Sequence, residues 1–159
     1  MSAVVASAKE NEELSCVLIP TSGLRLLLPN VSVAEIVPSR RMKTLEHGPS
    51  WCLGFVGWRG RTVPVVHYPG LSGDASEQSV SPRCMVIMNR ARSVSAPPFY
   101  ALAAEGLPRM LQLADGDIDT ADGELGPADV MHVCVGTETA IIPNLRYIEE
   151  RLVELGNPF

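Results

Sequence analysis

The stretch Asp115-Gly116-Asp117-Ile118-Asp119 is the first place where residue types and spacing could do chemistry, because alternate carboxylates can aim their oxygens at one hard cation. A calcium loop of the EF-hand kind also needs glycine at its sixth position and a bidentate glutamate at its twelfth. Those places hold Thr120 and Gly126, so the motif fails. Residues 114 to 129 carry six acids and no base, which reads as a self-repelling, solvated linker, with a basic protein surface as the alternative use. The three histidines, His47, His67 and His132, lie in separate segments and read as loop or strand residues rather than bases or ligands. Cys16, Cys52, Cys84 and Cys134 are too far apart for a CxxC pair and stand in apolar settings, so all four read as small buried hydrophobes.

No G-x-S-x-G elbow, P-loop, dinucleotide fingerprint or H-E-x-x-H motif occurs. No catalytic residue, cofactor or metal is therefore expected, and an enzyme would have to assemble its site from scattered Asp, Glu and His. The residues that remain point to recognition. Arg59 follows the most aromatic stretch of the chain, Trp51 to Trp58, on a turn made by Arg59-Gly60-Arg61. Arginine beside tryptophan is the composition of an interface anchor. The plainer alternative places Trp58 in the core and leaves Arg59 as an ordinary exposed turn residue.

The elements that must position this turn read as strands. Leu14 to Ile19 and Leu24 to Leu28 flank Pro20-Thr21-Ser22-Gly23, a hairpin. Val31 to Val37, stopped by Pro38, fits a short strand or one helical turn. Leu53 to Tyr68 should form a second hairpin around Arg59-Gly60. A soft loop from Pro69 to Pro82 precedes five further pieces of sheet at Cys84 to Met88, Phe99 to Ala104, Met110 to Leu113, Val130 to Val135 and Thr139 to Ile142, spaced as in barrels. Only Leu145, Ile148, Leu152 and Leu155 recur at helical spacing, between an Asn144 cap and Gly156.

At 159 residues one domain suffices: a polar lead over 1–13, a domain over 14–155 and a tail over 156–159. A net charge of -5 disfavours nucleic acid and anionic lipid as partners. The apolar runs are too short to span a bilayer, and Met1 to Glu13 lacks the features of a secretory signal, so a cytoplasmic protein without membrane insertion is expected.

The segment from Val31 to Tyr68 resembles the signature region of CheW-like domains. The matching residues are Val33-Ala34-Glu35-Ile36-Val37-Pro38, then Pro49-Ser50-Trp51-Cys52-Leu53-Gly54-Phe55-Val56, then Trp58-Arg59-Gly60, then Val63-Pro64-Val65-Val66. Two positions depart from the family pattern, which commonly has Asp where this chain has His67 and Pro143. Accessory CheW-like proteins of pilus-linked chemosensory systems are the nearer resemblance. What it implies is an all-β fold of two small five-stranded barrels with a C-terminal helix. The implied function is a non-catalytic adaptor between a methyl-accepting chemoreceptor tip and a CheA-type histidine kinase, a monomer or weak dimer serving chemotaxis or twitching motility. The implied partner-binding residues are Val33, Glu35, Gly54, Trp58, Arg59 and Gly60, with Glu35 and Arg59 as an ion pair holding the turn. A self-assembling structural subunit is a third reading, separable by size in solution.

Overall fold

A computed structural model describes residues 13–73, 81–91 and 93–156. The expected polar lead up to residue 12, the C-terminal tail after Gly156, and half of the soft loop before Cys84 (residues 74–80) lie outside the described residues.

Among these residues the order is β1 (Leu14–Thr21), β2 (Leu24–Pro29), β3 (Val33–Pro38), β4 (Cys52–Trp58), β5 (Arg61–Val66), α1 (Tyr68–Leu71), β6 (Cys84–Asn89), β7 (Phe99–Ala104), β8 (Arg109–Leu113), β9 (Ile118–Thr120), β10 (Asp129–Val135), β11 (Glu138–Pro143) and α2 (Leu145–Leu155). One sheet runs β8-β1-β2-β11-β10-β9 and the other β3-β6-β7-β5-β4. Among the described residues only β2 with β11 and β5 with β7 pair in parallel. The mainly β, two-sheet plan with a C-terminal helix is the one expected. One sheet carries a sixth strand, β9, because the acidic stretch is less free than its charge implies: Ile118–Thr120 pairs with Val133–Val135, and Ala128 is fully buried.

Pattern explains the strands and their packing. Cys84, Val86 and Met88 of β6 face a central core between the sheets, while Met85 and Ile87 face the interior of the five-stranded sheet. β7 divides the same way, with Tyr100, Leu102 and Ala104 on one side and Ala101 and Ala103 on the other. Strands buried on both faces need no polar alternation, which is why these segments read as unbroken apolar runs. In β1, Val17 and Ile19 join the central core, and Cys16 and Leu18 a third cluster inside the six-stranded sheet. Three of the cysteines are buried as expected; Cys134 is half-buried.

The hairpin turns follow local chemistry. Ser22 and Gly23 both take positive φ, 45° and 80°, closing β1 onto β2 in a two-residue turn, with Pro20 and Thr21 still in the strand. The helix α2 begins where Asn144 accepts the Tyr147 N–H at 3.1 Å and ends at Gly156, φ 72°. Ile148 and Leu152 point into the central core, and Glu149, fully buried, accepts the backbone N–H groups of Ala91 and Ser93 at 2.8 and 2.7 Å.

A polar network joins α1 to β10. The Tyr68 hydroxyl and the Ser72 hydroxyl each lie 2.5 Å from Asp129 Oδ1, and the Gly126 N–H donates to Asp129 Oδ2 at 2.8 Å. Burial alone would raise the Asp129 pKa, but these three donors, with His132 nearby, outweigh it and hold the carboxyl below its ordinary range. Burial, reinforced by Asp129, pushes Tyr68 well above a free phenol. The turn from His67 into α1 is helical where the sequence reads as strand end and loop, because Pro69 fits the first turn of a helix.

Candidate functional site

The β4–β5 turn is Arg59-Gly60, with φ of 48° and 74° between the paired residues Trp58 and Arg61. Positive φ at both central positions is the signature of a type I′ turn, which matches the twist of the flanking strands. Glycine adopts that backbone freely, whereas an arginine there is strained by about 1 kcal/mol or more.

Glu35 of β3 meets this turn. Its Oε1 accepts the Trp58 Nε1–H at 3.1 Å and the Arg59 Nη2–H at 3.0 Å, and the guanidinium carbon lies 5.0 Å from the centroid of the Trp58 ring. β3 and β4 stand at opposite ends of the five-strand order, so the contact pulls the two outer strands together. The segment after β3 continues the closure. Lys43 and Phe55 exchange two backbone hydrogen bonds at 2.8 Å, and Arg40 donates to the Gly57 carbonyl at 2.7 Å. The five-stranded sheet is thereby closed into a barrel.

The six residues expected at the site separate into two kinds. Arg59 is the exposed one, with 69% of its side chain accessible; Gly60 beside it is exposed and Glu35 partly so. Trp58 and Gly54 are not presented to a partner. Trp58 is buried among Val56, Val63 and Ile87, its ring tilted against Phe99 at 4.8 Å between centroids, so the plainer reading of that residue holds. Gly54 is buried on β4 with φ 148°, and a β-carbon there would come 2.6 Å from the Lys43 carbonyl oxygen. Its role is to let the closing segment approach. Val33, half-buried, packs against the central core, with a bulge separating it from Glu35 in the pairing with β6.

Arg40, Lys43 and Phe99 are contributors the sequence reading missed. Phe99 is brought to Trp58 by the β5–β7 pairing and also lies 5.3 Å from the Arg61 guanidinium carbon. No local signal announces a contact between segments this far apart. Among the described residues no group of three or more His, Cys, Asp or Glu side chains could hold a metal ion, and no helix is long and apolar enough to cross a membrane. His67 is spent inside the fold: its ring Nε2 lies 3.1 Å from the Ser22 hydroxyl, and its backbone N–H donates to the Trp51 carbonyl at 2.7 Å.

The chain is thus a closed β-barrel beside a second sheet, with a strained arginine at the seam. The crystal structure of the scaffolding protein TtCheW from Thermoanaerobacter tengcongensis has a similar fold, with a TM-score of 0.66 over 82% of this chain and 84% of that one, at 13% identity. No curated protein matches the chain. Residues 15–149 match the model of the CheW-like domain, and the chain belongs to that family.

Proposed function

We propose that this protein is a non-catalytic adaptor of a bacterial chemosensory system, coupling a methyl-accepting chemoreceptor tip to a CheA-type histidine kinase in the cytoplasm. The observation that carries the reading is the Glu35–Arg59 contact, which holds one guanidinium at an exposed, strained turn where a glycine would cost less. Strain kept at an exposed polar residue is a mark of function. Family membership supports the adaptor class, and the surface built by Glu35, Arg59 and Gly60, flanked by half-buried Val33, is where a partner would dock.

The departures at His67 and Pro143 favour an accessory member of a pilus-linked system, with twitching motility as the output. Both residues are buried, so they alter packing more than the docking surface. Binding of another signalling protein through the same face is the second reading. Titration of the purified chain with the kinase's regulatory domain and, separately, with a receptor-tip fragment tests both. Micromolar binding, about -8 kcal/mol at 1 μM, that is lost in Arg59→Ala supports the adaptor. No binding to either, with an intact fold, rejects it.

A further inference from the structure

The loop between β6 and β7 is held by more polar contacts than its place at the surface demands. Glu149 of α2 is fully buried, and its two carboxylate oxygens accept the Ala91 N–H at 2.8 Å and the Ser93 N–H at 2.7 Å. A carboxyl group out of water is tolerated only where donors meet it, so the helix and the base of the loop hold each other. Arg90 holds the tip: one guanidinium nitrogen donates to the Val94 carbonyl at 3.1 Å and to the Ala96 carbonyl at 2.9 Å. The Ala96 N–H donates to the Ser93 carbonyl at 3.1 Å, closing a turn with Val94 at its first central position.

What this anchoring presents is an apolar side chain in water. Val94 is 87% exposed and Val31 84%, more than any other large hydrophobic among the described residues. Ordering a loop costs conformational entropy, and Val94 offsets none of it by burial. A loop kept in one shape with an apolar residue outward is preorganised for contact with another molecule.

The loop stands next to the Arg59 turn. At one foot, Asn89 donates to the Val31 carbonyl at 3.3 Å. At the other, Phe99, paired with Asn89, lies 4.8 Å from the Trp58 ring and 5.3 Å from the Arg61 guanidinium carbon. Two exposed valines therefore share one end of the five-stranded barrel with two exposed arginines. Arg59 is paired with Glu35, whereas Arg61 has no acid partner among the described residues. Lys43 already takes the outer edge of β4, so a partner docks here through side chains rather than by adding a strand. An amphipathic helix, whose backbone groups are satisfied internally, docks in that way.

We infer that Val94 and Arg61 are contact residues for an α-helical partner with acids beside its apolar face, and that Glu149 and Arg90 are positioning residues that hold Val94 outward. Within the adaptor reading, on which the inference rests, that partner is the chemoreceptor tip.

Calorimetric titration of the whole chain with a helical receptor-tip fragment, and separately with the kinase's regulatory domain, tests it. Val94→Ser and Arg61→Gln should each weaken binding of the tip at least fivefold while kinase binding stays within twofold. Both should melt as the wild type does, since both side chains are exposed. Glu149→Gln puts an amide N–H where an acceptor is needed, so it should also weaken the tip at least fivefold, but by less than twofold in a Val94→Ser background, because it acts through Val94. A purely structural loss would be equal in the two backgrounds. If Glu149→Gln melts early, Arg90→Ala, at an exposed residue, takes its place. Tip binding unchanged in Val94→Ser and Arg61→Gln, an equal loss of kinase binding, or a Glu149→Gln effect that does not depend on Val94 would overturn the inference. A wild type that binds neither fragment rejects the adaptor reading itself, and the inference falls with it.

Discussion

Glu35 lies on a strand at one end of a five-strand order and Arg59 on the turn that follows the strand at the other end, yet one carboxylate oxygen of Glu35 lies 3.0 Å from the Arg59 guanidinium and also accepts the indole N–H of Trp58. The contact is a seam: it joins the first and last strands of a sheet that hydrogen-bonded ladders alone leave open.

Because both partners of the seam are substantially solvent-exposed, its energetic worth should be small. A double-mutant cycle of Glu35→Ala and Arg59→Ala, followed by urea unfolding, should give a coupling of about 0.2–1 kcal/mol. A coupling well above that range would mean that the seam is a main support of the barrel.

Arg59→Asn should leave stability within about 0.5 kcal/mol of the wild type, because asparagine tolerates positive φ and the relieved strain offsets the lost pair. Partner affinity should fall by about 2 kcal/mol, roughly thirtyfold, as for a hot-spot arginine. Calorimetric titration with the kinase domain, alongside melts, separates the two effects; equal loss in both would show a structural role.

Gly54→Ala should destabilise by about 2–4 kcal/mol, combining a strained backbone with a β-carbon 2.6 Å from the Lys43 carbonyl oxygen. Gly57→Ala, three residues on, meets nothing and should cost less than about 1 kcal/mol. Comparing the two denaturation midpoints checks whether the close approach of the closing segment, rather than glycine as such, is what β4 requires.

Acid and base stability should each have a named source. The Asp129 carboxyl is held below its unfolded value near 3.9, so its contribution is complete above that pH and is lost as pH falls through the folded pKa. Tyr68 and Tyr100 are raised by burial, so their contribution is complete below pH about 10 and is lost as pH rises above it. In Asp129→Asn, stability should be lower at neutral pH and fall less between pH about 5 and 3. A parallel acid profile would remove Asp129 as the cause.

Parts of this architecture are decided within a few residues of chain and were legible there. Arg59-Gly60 makes its turn with its immediate neighbours, as does Ser22-Gly23. Leu145 to Leu155 shows its helix by spacing and its ends by Asn144 and Gly156, because capping is satisfied by groups three or four residues away. The CheW-like signature was likewise readable, since it runs continuously from Val33 to Val66.

What the sequence left open depends on distant partners. Whether Trp58 faces a ligand or a core was undecided until Phe99 arrived beside it through the parallel pairing of β5 and β7. The acidic stretch repels itself locally, yet β10 supplies the ladder for β9 and α1 supplies Tyr68 and Ser72 to Asp129. His67 reads as a lone histidine until the first hairpin turn brings Ser22 to it. In each case the deciding energy is hydrogen bonding or burial against a segment remote in sequence, which no local propensity records. Composition and short-range pattern determined the elements and their class; the closure of the barrel, and with it the exposure of Arg59 on the shoulder of a buried tryptophan, was decided by tertiary contacts alone.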